Sequence, residues 1–249
     1  MNGEKIIIAN DFNIKELVNS EIHRLGKVAD LNHIDVSEVR EMPSIFQHLS
    51  FEGDISRWDV SKVENMCAMF FNSYFEGDIS NWNTSKVKNM EGMFSDSTFN
   101  RNISRWDTSS VTNMSGMFQS SFFEGDISKW NVSNVLSMNG LFSHSLFNGD
   151  ISNWNTEKVE NMNFMFFGGK FNNDISNWDV REARGMRKMF THSNFNGDIN
   201  NWKFHQDLII DDDLKKVLEN SYDIRRQKEH NGLMLNLSTT CLQRIKKTL

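Results

Sequence analysis

Carboxylates that recur at a fixed spacing are the first residues in this sequence that could do chemistry. An Asp or Asn returns every 24 residues, usually after a glycine, at Asp54, Asp78, Asn102, Asp126, Asp150, Asp174 and Asp198. Such a column could bind Ca²⁺, which prefers hard oxygen ligands. Asp and Asn in turns also commonly hydrogen-bond to nearby backbone. We favour the turn role, because the calcium-binding repeats of β-helices have a different pattern.

Tryptophan and histidine recur in the same way. All seven tryptophans lie 24 residues apart, at Trp58, Trp82, Trp106, Trp130, Trp154, Trp178 and Trp202. They could stack on sugars or bases, but their place between two inward-facing apolar positions favours burial in the core. His48, His144 and His192 share another position of the repeat. His144 and His192 would lie about 10 Å apart, too far to share a metal ion, so we predict surface positions.

Other catalytic or cofactor-binding motifs are missing from the sequence. The two cysteines, Cys67 and Cys241, form neither a CxxC pair nor a metal-binding set. There is no HExxH motif and no nucleophile elbow, and Gly168-Gly169-Lys170 lacks the frame of a phosphate-binding loop. We therefore predict a protein that is not an enzyme and that binds no metal and no cofactor.

The elements that must position these residues are copies of one 24-residue unit. Its consensus is F-x-G-D-I-S-x-W-D/N-V/T-S-x-V-x-N-M-x-x-M-F-x-x-S-x, and no insertion interrupts it. One unit cannot bury its apolar side chains alone, so equivalent positions must stack along an axis. The sequence predicts a repeat solenoid in which each unit has a short parallel strand, at about residues 55–60, and a helical turn over residues 63–70.

The repeat divides the chain into four predicted segments: an N-terminal cap (1–26), a degenerate first repeat (27–50), six full repeats plus a partial seventh (51–202) and a C-terminal helical cap (203–249). In the degenerate repeat, Ile34 takes the Trp position and Leu31 takes the Ile position. Terminal units of such arrays face solvent on one side and are expected to be atypical.

Each predicted cap contains a helix. In the N-terminal cap, residues 4–9 suggest a short strand and residues 14–25 an amphipathic helix. A capping box at Asn13 would start this helix and Gly26 would end it. In the C-terminal cap, one helix should begin at the acidic run 211–213 and another at Thr240.

The motif F-E-G-D-I-S-x-W-D-V-S-x-V-x-N-M-x-x-M-F resembles the short repeat of the BspA-like leucine-rich-repeat surface proteins of bacteria. The resemblance covers residues 51–202 closely and residues 27–50 loosely. It implies a leucine-rich-repeat-like solenoid used for adhesion or partner recognition at the cell surface or after secretion. The sequence itself shows no secretory signal and no apolar run long enough for a transmembrane segment, which predicts a cytoplasmic location.

Binding specificity must come from positions that vary between units, because the repeated positions build the core. The sixth unit, residues 171–194, is unusually basic, and an aromatic residue precedes it where earlier units have Ala or Gly. A polar or basic column that flanks the predicted strand is the second candidate. The predicted partner-binding residues are Leu136, Phe164, Arg181, Arg184, Arg187 and Lys188, together with Arg57, Arg105 and Lys129.

These observations predict a monomeric recognition scaffold whose partner is another protein. The formal net charge of −6 argues against nucleic acid as the partner. A glycan-binding or host-surface adhesin is the alternative, and an enzyme active through the last 47 residues or a fused partner ranks third.

Overall fold

The chain is a repeat protein with little regular secondary structure. The structure is a computed structural model, and it describes residues 6–230. Within that range the order is β1 (Ile7–Ile8), α1 (Ile14–Leu25), β2 (Ile34–Asp35) and α2 (Asp212–His230). β1 and β2 pair in parallel, with Ile7 opposite Ile34. The helix predicted at Thr240 lies outside the described residues.

The repeated apolar residues form one continuous interior. Trp58 is 4% exposed, and Phe70 and Met66 are fully buried. The ring of Phe70 stacks on Phe75 of the next unit with centroids 4.5 Å apart, and Trp58 stacks on Trp82 at 6.5 Å. Burial of one such side chain contributes about 1.5–3 kcal/mol. Each unit obtains much of that burial from its neighbours, which is why the units occur as an array.

Neighbouring units are joined by single parallel bridges, not by strands. The bridges run between equivalent residues, from Glu41–Asn65 through Asn89–Asn113 to Asn161–Gly185. Met66 N donates to Asn89 O of the next unit at 2.9 Å, whereas Met69 N turns back to Met66 O of its own unit at 3.2 Å. Alternate amides therefore link units and close turns, so no continuous strand forms.

This pattern corrects two sequence predictions. No strand exists at residues 55–60, because the chain bends there: Trp58 N donates to Ile55 O at 3.2 Å. No helical turn exists at residues 63–70 either. Ala68 has a φ of 52°, a left-handed conformation that a right-handed helix cannot contain.

The helix predicted for residues 14–25 is confirmed as α1, but its ends and its buried face differ in part from the prediction. Asn13 makes no side-chain capping bond, so the capping box is wrong; its Oδ1 instead accepts from Asn10 N at 2.8 Å. Gly26 does end the helix, with a φ of 90°. Leu25 is 37% exposed, while Glu21 is buried among the apolar residues of the helix.

At both ends of the array, an aspartate side chain accepts the backbone N–H groups that a carbonyl of the neighbouring unit accepts elsewhere. Between units, Glu64 N and Asn65 N both donate to Arg40 O. One unit earlier no carbonyl is present, and Asp11 Oδ1 accepts instead from Arg40 N at 2.6 Å and from Glu41 N at 3.0 Å.

The other end uses the same device. Asp211 Oδ2 accepts from Lys188 N at 2.6 Å, and its Oδ1 accepts from Leu214 N at 2.9 Å, so this residue also starts α2. The helix predicted after residues 211–213 is thereby confirmed. Asp211 lies 24 residues after Arg187, so the repeat spacing extends into this cap.

Candidate functional site

The side chains of the recurring aspartates accept hydrogen bonds within their own turns. Asp54 Oδ1 accepts from Ser56 N at 2.8 Å, and that bond holds the pKa of the carboxyl below its usual value. The same bond recurs at Asp78, Asn102, Asp126, Asp150, Asp174 and Asp198. The predicted turn role is confirmed. Within residues 6–230, no group of three or more His, Cys, Asp or Glu side chains could hold a metal ion.

The tryptophans are buried, as predicted, and face the backbone of the preceding unit. Trp106 is 3% exposed, and its Nε1 donates to Ile79 O at 3.0 Å. Trp178 does the same to Ile151 O at 3.1 Å. The indole N–H groups are thus satisfied inside the protein. These rings offer no stacking surface to a sugar or a base.

Three columns of variable residues share the outer surface where the units are joined. We name them after members of the first full unit. The Glu64 column contains Arg40, Glu64, Lys88, Thr112, Leu136, Glu160 and Arg184. The Cys67 column contains Pro43, Cys67, Glu91, Ser115, Asn139, Asn163 and Arg187. The Ala68 column contains Ser44, Ala68, Gly92, Gly116, Gly140, Phe164 and Lys188.

The Glu64 column is held in register by backbone bonds. Glu160 N donates to Leu136 O at 2.8 Å, and Arg184 N donates to Glu160 O at 2.9 Å. Leu136 is 44% exposed. Leu136 and Arg184 therefore lie on one surface, with Glu160 between them.

The Ala68 column has a left-handed backbone throughout. The φ angle is 60° at Gly92 and 61° at Gly116, where glycine adopts it freely. It is 56° at Phe164 and 52° at Lys188, where a Cβ atom makes that conformation cost about 1–2 kcal/mol. Two long side chains thus occupy a position whose backbone suits glycine.

The structure brings three of the four basic residues of the sixth unit together. Arg184, Arg187 and Lys188 are all exposed on the surface just described. Arg187 O accepts from Phe164 N at 2.9 Å, which places these cations beside that aromatic residue.

Arg181 does not join them. Its guanidinium contacts Asp179, with Nε 2.9 Å from Oδ1, and this contact holds the pKa of Asp179 below its usual value. It also lines a shallow hollow of about 290 Å³ with Glu157, Lys158 and Glu182.

The column of Arg57, Arg105 and Lys129 lies on another stretch of each unit, beside the buried Trp. Arg57 pairs with Asp30 at 3.3 Å, whereas Arg105 and Lys129 are exposed. The strand that this column was predicted to flank is not present, so that argument for it no longer stands.

The histidine prediction is confirmed: His48, His144 and His192 are exposed. Each ring contacts a phenylalanine edge to face. The ring of His48 contacts that of Phe71, with centroids 5.3 Å apart. His144 and His192 both contact Phe167, at 5.0 and 5.8 Å.

A buried polar cluster that was not predicted from the sequence lies between α1 and the degenerate unit. His33 Nε2 lies 2.9 Å from Glu21 Oε2, and Arg24 also binds that carboxylate. The bond from Arg24 is the main cause of a lowered pKa at Glu21, with His33 contributing and burial opposing. The cluster ties α1 to the degenerate unit. A Glu on the otherwise apolar face of α1 was the available signal.

These features define a repeat protein whose interior and turns use the constant residues and whose outer columns vary. A family model described as "Mycoplasma protein of unknown function, DUF285" matches residues 13–123 and again residues 120–227. The chain belongs to this family, and the two successive matches agree with its repeat character. No curated protein and no solved structure matches it. Neither α1 nor α2, the helices of residues 6–230, combines the length and the apolar character of a membrane span.

Proposed function

We propose that the protein is a non-enzymatic recognition scaffold that binds another protein through the outer columns of a leucine-rich-repeat-like solenoid. The BspA-like motif supports the solenoid and the binding role. Stacking of equivalent residues supports it as well, since backbone bonds join each unit only to its neighbours.

One observation carries the proposal: the repeated side chains form the core and the turns, and the variable side chains face outward. The Trp, Phe and Met columns are buried, and the Asp54 column closes turns. Chemistry that differs between units is left to the exposed surface, where Phe164, Arg184 and Arg187 stand out. Aromatic residues and arginine are enriched in protein interfaces.

A quantitative affinity capture tests this function. The intact protein is used as bait in an extract of the cells that produce it, beside the variant R184E/R187E and the control R105E/K129E. The two double variants have the same change in formal charge, but the control lies on the other stretch of the unit. Far-UV circular dichroism verifies that all three are folded.

We expect at least one protein to be enriched by the wild type and by R105E/K129E, and to be reduced about tenfold or more with R184E/R187E. Loss with R105E/K129E alone would move the binding surface to the Arg57 column. Absence of any protein enriched above an unrelated bait would contradict the proposed function.

A glycan-binding role is the second candidate, and it has a specific observation in its favour. A shallow groove of about 440 Å³ at the end of the array is lined by the amides and hydroxyls of Asn172, Asn173, Ser176, Asn196 and Asn201, with Asp174 and Asp198. Such groups pair with sugar hydroxyls. Glycan-array binding that is lost in N173A/N196A would support it, and an empty array would remove it.

A further inference from the structure

The two long side chains of the Ala68 column hold a backbone conformation that glycine would hold without strain. Three preceding units have Gly92, Gly116 and Gly140 there, whereas the last two have Phe164 and Lys188. Ser44 and Ala68 of the earlier units share this conformation, so the size of the side chain, and not the φ angle, sets Phe164 and Lys188 apart. Lys188 is itself one of the three exposed cations of the sixth unit, and Phe164 lies one unit before them.

Phe164, Phe167, His144 and His192 form a row of contacting rings on this surface, which we call the aromatic ledge. The ring of Phe164 contacts Phe167 edge to face with centroids 5.9 Å apart, and Phe167 contacts His144 and His192 on either side. A Cβ atom on Gly168 would lie 2.6 Å from His144 Nδ1, so glycine at this position lets the imidazole settle against the backbone. Phe164 and Phe167 are only half-buried, so the ledge remains accessible.

The cations beside the ledge have no acidic partner. None of Arg184, Arg187 and Lys188 makes an ion pair with the part of the chain that the structure describes. The carboxylate of Asp211 is close, but both of its oxygens accept backbone N–H groups. Three exposed cations therefore lie next to half-buried aromatic rings.

We infer that this surface binds an acidic segment of a partner protein, with an apolar side chain of that segment resting on Phe164 and Phe167. Carboxylates of the segment pair with Arg184, Arg187 and Lys188, and arginine can hold a carboxylate through two parallel hydrogen bonds. This inference rests on the proposed function and adds the chemistry of the partner.

A protein segment fits better than a nucleic acid. The chain has a net charge of −6, and Glu160 and Glu182 border the cations. Nucleic-acid binding draws its affinity from many phosphate contacts to a broad basic surface. Three cations between acidic residues suit a short segment with a few carboxylates.

Selection from a phage-displayed library of random peptides tests the inference on the intact protein. We expect enriched peptides to combine several Asp or Glu with one aromatic or aliphatic residue. In fluorescence titrations, R184E/R187E should raise the Kd for the best peptide about tenfold or more, and R105E/K129E should leave that Kd unchanged. The same peptide with Asn and Gln for its acids should lose binding, and a single-stranded oligonucleotide should not compete.

Enriched peptides without acidic residues, or equal binding by both double variants, would overturn the acidic-segment inference. A protein captured in the preceding experiment would then still support the recognition function. Competition by the oligonucleotide at equal concentration would also overturn the inference, in favour of nucleic acid.

Glycine substitutions separate binding from folding. Lys188→Gly should raise the thermal midpoint of unfolding, because it relieves strain in the backbone. It should nevertheless lower the affinity for the peptide. Ala68→Gly is the matched control, since Ala68 has the same φ of 52° and lies far from the ledge. It should also raise the midpoint but leave peptide affinity unchanged. A Lys188→Gly protein that binds the peptide as well as the wild type would contradict the role given to Lys188.

Discussion

The Glu64 column has the same backbone at both ends of the array but opposite electrostatic character. At the N-terminal end, Glu64 pairs with Arg40 at 3.5 Å and with Lys88 at 2.6 Å, so one carboxylate binds the cations of both neighbouring units. At the C-terminal end, Arg184 has no ion pair among residues 6–230, and Arg187 and Lys188 add further charge beside it. The comparison shows that acidic and basic neighbours in one column can pair or stay apart, since Arg184 lies one unit after Glu160 and makes no ion pair with it.

The largest expected effect tests whether the two ends really share one interior. Trp82 and Trp154 are each 4% exposed and each donate from Nε1 to a backbone carbonyl. Replacing either with alanine should cost about 3–5 kcal/mol of unfolding free energy, because a large cavity is left. Denaturant titration measures both. Unequal losses would show that the interiors differ and would break the comparison.

The aspartates that close the two ends should rank next. Asp11→Ala and Asp211→Ala should each cost about 0.5–1.5 kcal/mol, because two backbone N–H groups lose their acceptor in each variant. The asparagine variants sharpen the contrast. Asp11 uses one oxygen for both bonds, so Asp11→Asn should be mild; Asp211 uses both oxygens, so Asp211→Asn should cost nearly as much as alanine.

Hydrogen exchange locates these losses. The amides of Arg40 and Glu41 should exchange faster in Asp11→Ala, and the amide of Lys188 should exchange faster in Asp211→Ala. Unchanged exchange at those amides would contradict the capping role.

Low pH should reduce the stability of the N-terminal end, because it protonates Glu21. Its pKa in the folded protein lies below the ordinary value of 4.5, chiefly because of the bond from Arg24. The stabilisation is therefore complete above the unfolded-state pKa and is lost as pH falls through the folded-state pKa. Glu21→Gln should cost about 1–3 kcal/mol at neutral pH and progressively less below pH 4.5. A cost that stays constant with pH would exclude this account.

The smallest effect addresses the surface comparison directly. Lys88→Ala should cost about 0.2–1 kcal/mol at low salt, because it removes an exposed ion pair. Arg184→Ala should change stability by less than that, since it removes no ion pair. Thermal unfolding at low and high salt compares the two. A larger loss for Arg184→Ala would mean that this side chain has a structural partner, and the contrast between the ends would fail.

Much of this molecule could be predicted from the period alone. Strict recurrence of Trp, Phe and Met identified the buried columns, and the helical pattern of residues 14–25 and the acidic run 211–213 identified both described helices. Side-chain burial follows from composition at fixed positions, because equivalent residues in a stack share one environment.

The backbone path within a unit was predicted wrongly, and the reason is geometric. Apolar residues spaced three and four apart, as at Val63, Met66 and Met69-Phe70, fit a helical turn and also fit a series of tight turns. Gly92, Gly116 and Gly140 in one column were the signal that distinguishes them, because recurrent glycine indicates a positive φ. The segment boundaries and the partner-binding residues stay predictions, since surface positions obey no such packing rule.

The direction of the bonds between units has an electrical consequence. Four amides of the first full unit point toward the following unit, and their donors are Met66, Ala68, Phe70 and Asn72. Four others of the same unit point backward, at Glu52, Asp54, Glu64 and Asn65. Amides that point in opposite directions largely cancel, as they do in a sheet, and do not add as peptide dipoles do in a helix. An anion would therefore be drawn toward the last unit by its exposed Arg184, Arg187 and Lys188, and not by a dipole of the array.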